Sequence, residues 1–125
     1  MSELTPYICV GDCRAAIAWY VDALGAELAY DPIVMDDGRV GHCELAVDGA
    51  RWMMSDAFES AGVAPPAPDR GPAVTLHLTV PDCDAAAARV NAAGVDLREA
   101  TLKDTHLDLF GAVHLAELYG ADVEP

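Results

Sequence analysis

Apolar positions along this chain switch between strand-like and helix-like spacing, and the order of the switches occurs twice. Pro6 to Val10 holds Tyr7, Ile8, Cys9 and Val10 in a short run closed by Gly11-Asp12, which predicts a strand. Asp12 then suits a helix N-cap, because its carboxylate can accept from backbone N–H groups that the first turn leaves unpaired. Cys13, Ile17, Tyr20 and Leu24 follow at helical spacing with Trp19 beside them, and Gly25 supplies a stop. Glu27–Val34, Val40–Val47 and Arg51–Ser55 read as three further strands, separated by the turn signals Asp36-Asp37-Gly38 and Asp48-Gly49.

The second half repeats the first. Thr5, Val10, Asp12, Cys13, Ala15, Ala16 and Ala18 match Thr75, Val80, Asp82, Cys83, Ala85, Ala86 and Ala88 without a gap. More faintly, His42-Cys43-Glu44-Leu45 resembles His106-Leu107-Asp108-Leu109, and Gly49-Ala50 resembles Gly111-Ala112. Internal repetition decides architecture before any local reading does, because neither copy is large enough to bury its own apolar face. The second copy therefore predicts a strand over 74–80, an Asp82 cap, a helix to Ala93 and short strands near 96–101, 105–110 and 113–119. Between the copies, Pro65, Pro66, Pro68, Gly71 and Pro72 mark a stiff, extended linker. The expectation is one α+β domain of two tandem β-α-β-β-β modules, 1–56 and 74–125, joined by linker 57–73.

Composition narrows the function classes. A length of 125 residues with 53% hydrophobic positions allows one real core, and chains this short often dimerise to bury more. Seven Lys and Arg against a net charge of -14 cannot neutralise a phosphate backbone, which argues against nucleic acid and anionic membrane surfaces. There is no bilayer-length apolar run and no signal-peptide pattern, so the expected location is cytoplasmic. Cys9, Cys13, Cys43 and Cys83 form no Cys-x-x-Cys pair and read as reduced, half-buried small hydrophobes.

Strand alternation places His42 with Glu44, Thr75 with His77, and His106 with Asp108 on common faces. All four histidines, His114 included, fall on predicted strands. Trp52 and Met54 share a face and, with Tyr7, would suit a planar or bulky apolar ligand; ordinary core packing is the competing reading. Glu44 and the acidic balance favour a neutral or cationic ligand. No nucleophile stands with a base, so no catalytic residue is assigned.

Paired β-α-β-β-β units, each with a V-x-D cap opening its helix, resemble the vicinal oxygen chelate superfamily of glyoxalases, bleomycin-resistance proteins and extradiol dioxygenases. Thr5-Pro6-Tyr7, Asp37 to Leu45, Trp52 to Asp56 and Thr75 to Val80 resemble its PhnB-like branch. The resemblance implies that each sheet curls into a half-barrel around a pocket and that chains pair as homodimers. The Pro-rich linker would permit a domain swap. Metal-dependent members place His on the first strand and Glu on the last of each module; the matching positions here are Thr5, Thr75, Met53 and Leu115. A Thr hydroxyl is a poor ligand for a transition metal, so no metal and no other cofactor is expected. The family's D-P-F-G-H-x-W ending is replaced by Asp108 to Glu117, in which the expected Pro, His and Trp are missing, so His114 or Glu117 could still face the pocket.

The functional expectation is a non-enzymatic protein that sequesters a bulky apolar or aromatic compound, of the antibiotic-resistance and secondary-metabolism type. The ligand would sit at a dimer groove lined by Tyr7, His42, Glu44, Trp52, Met54, His77 and His114. The alternative is a metal-dependent lyase, isomerase or dioxygenase that uses the strand histidines with Glu44 as a non-standard ligand set.

Overall fold

The computed structural model describes residues 1–67, 69–70 and 73–93, and the backbone of 102–103 and 106–109. The first module runs β1 (Tyr7–Cys9), α1 (Cys13–Leu24), β2 (Glu27–Val34), β3 (Val40–Val47) and β4 (Ala50–Ser55). Its strands form a curled, unclosed sheet in the order β1-β4-β3-β2. The fold is mixed α+β, as the alternating pattern predicts.

Helix α1 forms where its caps and spacing predict. Asp12 is extended at φ -146°, and its Oδ1 accepts from the Ala15 amide at 3.1 Å. Gly25 closes the helix in the left-handed region at φ 67°, where a side chain would be strained. Cys13, Ala16, Tyr20 and Ala23 are buried, a spacing that puts them on one stripe. That stripe packs with Val40, Cys43 and Leu45 of β3 and Trp52 and Met54 of β4 in a single core. Leu45 and Met54 are wholly buried, and each such side chain stabilises by roughly 1.5–3 kcal/mol.

Asp56, just after β4, ties three elements together. Its Oδ1 accepts from the Cys13 amide at 2.8 Å and its Oδ2 from the Val40 amide at 2.7 Å. Its own amide donates to the Val40 carbonyl at 2.9 Å. The helix start, the beginning of β3 and the end of β4 thus meet at one carboxylate.

The second module comprises β5 (Leu76–Thr79), α2 (Cys83–Ala92), β6 (Leu102–Lys103) and β7 (His106–Leu109), with strand order β5-β7-β6. Asp82 caps α2 through the Ala85 amide at 3.0 Å, as Asp12 caps α1. Arg89 of α2 donates from Nε to the Asp22 carbonyl of α1 at 2.7 Å, so one guanidinium closes the open end of the neighbouring helix. Strand β7 meets the expectation for 105–110; the strands expected at 96–101 and 113–119 lie outside the described residues. Strand β6 falls in the gap between expected strands.

The start of the linker is folded rather than extended. Phe58 and Val63 bridge, and a short 3-10 helix (Glu59–Ala61) ends on Gly62 at φ 75°. Arg39 holds this turn against the sheet, with its guanidinium 4.1 Å from the Phe58 ring centre and donating to the Ala57 carbonyl at 2.7 Å. Among the described residues no helix is long and apolar enough to cross a membrane.

Candidate functional site

The two faces of the first sheet differ sharply. On β3, Cys43 and Leu45 point into the core, while His42 and Glu44 alternate onto the open face. Register then decides their company. Glu44 pairs with Met53 and Ala46 with Arg51 on β4, Tyr7 pairs with Met53 from β1, and Tyr30 pairs with Glu44 from β2. Arg51 is diagonal to Glu44, a separation that long side chains span.

These residues form a continuous hydrogen-bonded chain. The Tyr7 hydroxyl donates to the Gly41 carbonyl at 2.9 Å and lies 2.8 Å from His42 Nδ1. His42 Nε2 lies 3.0 Å from Glu44 Oε2, and Arg51 donates to Glu44 Oε1 at 2.6 Å. The Tyr7 and Tyr30 rings stand edgewise to the His42 ring, with centroids 5.2 and 5.7 Å away. Both tyrosines remain half exposed, at 51% and 52%.

Donor counting constrains the protons. A carboxylate only accepts, so Nε2 must donate to Glu44. A neutral imidazole would then accept the Tyr7 proton at Nδ1, and Tyr7 would lose its bond to Gly41. With both ring nitrogens protonated, every bond in the chain is made at once. His42 and Arg51 hold the Glu44 carboxyl below the usual carboxylate range, chiefly through their hydrogen bonds to it. The Tyr7 hydroxyl is pushed up, first by desolvation and then by the Cys43, Cys13 and Glu44 charges.

The expected site residues separate into groups. Tyr7, His42 and Glu44 are brought together. Trp52, at 7% exposure, and Met54, at 0%, are in the core on the opposite face. Tyr20 packs on Trp52 with ring centres 5.0 Å apart, and Trp52 also lines a cleft. His77 lies on β5 and lines this cleft, of about 120 Å³, with Trp52, Tyr20, Leu24, Leu76 and Arg51, the last member of the hydrogen-bonded chain. His114 lies outside the described residues. Arg51 and Tyr30 were not anticipated.

The donor set does not fit a divalent metal. Thr5 and Thr75 are hydroxyls, Met53 is a thioether, and Leu115 lies outside the described residues. Each oxygen of Glu44 already accepts a hydrogen bond, one of them from the Arg51 cation. Among the described residues, no group of three or more His, Cys, Asp or Glu side chains is arranged to hold a metal ion.

A family model described as the Glyoxalase/Bleomycin resistance protein/Dioxygenase superfamily matches residues 4–115. An uncharacterized protein of Mycobacterium bovis is 34% identical over 114 residues, covering 88% of this chain and 74% of that protein. An uncharacterized protein of Mycobacterium tuberculosis is also 34% identical over 114 residues, covering 88% of this chain and 66% of its own length. No solved structure matches the chain.

Proposed function

This chain belongs to the glyoxalase/bleomycin resistance protein/dioxygenase superfamily, and from that premise we propose that it is a binding protein rather than a catalyst. Its ligand is a bulky apolar or aromatic small molecule of the antibiotic type, taken up on the open face of the β1–β4 sheet and released unchanged. The observation that carries this reading is the Tyr7–His42–Glu44–Arg51 chain between two half-exposed tyrosine rings. Such a surface offers flat apolar contact beside a few fixed polar groups, which is the usual composition of a ligand site. Its one carboxylate is engaged on both oxygens, which leaves it poorly placed to ligate a metal or to abstract a proton.

A second copy supplies the other wall. Leu28, Tyr30, Ile33, Val34 and Met35 leave large apolar side chains exposed along β2 and just beyond it. Among the described residues β2 ends the sheet order, which offers its outer edge to a partner. A homodimer closing there turns the open face into a groove, and the linker permits modules to exchange between copies.

The test is calorimetric titration with a panel of aromatic antibiotics, with the ligand mass measured before and after overnight incubation. Stoichiometric binding with unchanged mass is expected, together with a dimer by light scattering. Binding of no panel member, or conversion of a bound one, would overturn the reading. About one equivalent of transition metal in protein purified without chelator would return the chain to the metal-dependent lyases, isomerases and dioxygenases.

A further inference from the structure

We infer that the ligand of the open face is an aromatic acid, with a planar ring for the tyrosines and a carboxylate for Arg51. The inference rests on the binding reading above and reverses the charge that composition suggests. From the sequence, Glu44 and a net charge of -14 favour a neutral or cationic ligand. In the structure Glu44 presents little of its charge to a cation, because Arg51 and His42 each engage one of its oxygens and its side chain is only 14% exposed.

Among the described residues of the hydrogen-bonded chain, the side chain with charged groups to spare is a donor, Arg51. A guanidinium carries five N–H groups in a planar fork that matches a carboxylate. Arg51 gives one nitrogen to Glu44 at 2.6 Å and stays 48% exposed. The remaining edge of the Arg51 guanidinium is therefore the cationic donor this face presents to a ligand. The Tyr7 and Tyr30 rings flank the His42 ring with half their surface free. A ring lying against them would carry its carboxylate towards the free edge of Arg51.

Three isosteric probes separate the possibilities: 2-naphthoate, 2-naphthamide and 2-naphthylmethylammonium. Each is titrated at pH 7 by its own fluorescence anisotropy, which reads binding on this face directly. An ion pair at an exposed site is worth up to about 1 kcal/mol, so the naphthoate should bind about threefold to fivefold tighter than the amide. The ammonium should bind more weakly than the amide. Arg51→Gln should abolish the preference for the acid. Equal binding of acid and amide, or tightest binding of the ammonium, overturns the charge assignment and leaves the binding reading standing. If none of the three binds, both fail together.

Discussion

Replacing Asp56 with Asn changes one atom of the side chain and should loosen the start of the strand that carries His42 and Glu44. The carboxylate accepts two backbone N–H groups, from Cys13 at 2.8 Å and Val40 at 2.7 Å. Asn keeps one acceptor oxygen and turns an NH2 group towards the other amide. One bond is then lost outright, its N–H is left facing a donor, and the surviving bond loses its charge. Hydrogen bonds to charged groups contribute roughly 1.5–3 kcal/mol each, so Asp56→Asn should cost about 2–3 kcal/mol. With a urea slope of about 2 kcal/mol/M, the unfolding midpoint falls by about 1–1.5 M. Hydrogen exchange adds a local readout: the Cys13 and Val40 amides should exchange faster than their neighbours in the variant. A midpoint shift worth less than about 0.5 kcal/mol, or protection of both amides unchanged, would refute the claim that this carboxylate holds the three elements together.

Gly25→Ala meets two obstacles, the positive φ of 67° and the Arg89 guanidinium 3.0 Å from the new Cβ. It should cost about 1–2 kcal/mol from backbone strain alone, and combining it with Arg89→Met should be less than additive by denaturant melts. Glu44, whose folded carboxyl is depressed, contributes stability above its unfolded value of about 4.3, and that contribution is lost as pH falls through the folded value. Wild type should therefore exceed Glu44→Gln in thermal melts at pH 7, with the difference vanishing towards pH 2; a difference that grows in acid would reverse the assigned sign. Met54→Ala should destabilise by about 2–5 kcal/mol while ligand affinity in the folded protein is kept, which separates a core side chain from a site side chain.

Much of the fold is legible because its signals are local. Asp12 and Asp82 each sit one residue before a helix and accept an amide three residues on, so the cap is written within four positions of sequence. Gly25 marks the end of α1 for an equally local reason, its left-handed backbone. The folded start of the linker is not legible in this way. Its shape depends on Arg39, 19 residues before Phe58 and on the far side of two strands, and Pro-rich composition says nothing of that contact.

The site was half legible, and the missing half was one of register. Alternation along a single strand pairs His42 with Glu44 and Trp52 with Met54, and it does so correctly. It cannot say whether the two pairs share a face. The hairpin can. The Asp48-Gly49 turn holds two residues, so Val47 pairs with Ala50, and counting outward sets Leu45 opposite Trp52 and Cys43 opposite Met54. Directly paired residues point the same way, so Trp52 and Met54 go with Leu45 and Cys43 into the core. The same count sets Met53 opposite Glu44 and Arg51 opposite Ala46, on the open face. Arg51 could thus have been found from the turn length alone, and with it the neutralisation of Glu44 that changes the charge of the ligand this face should take.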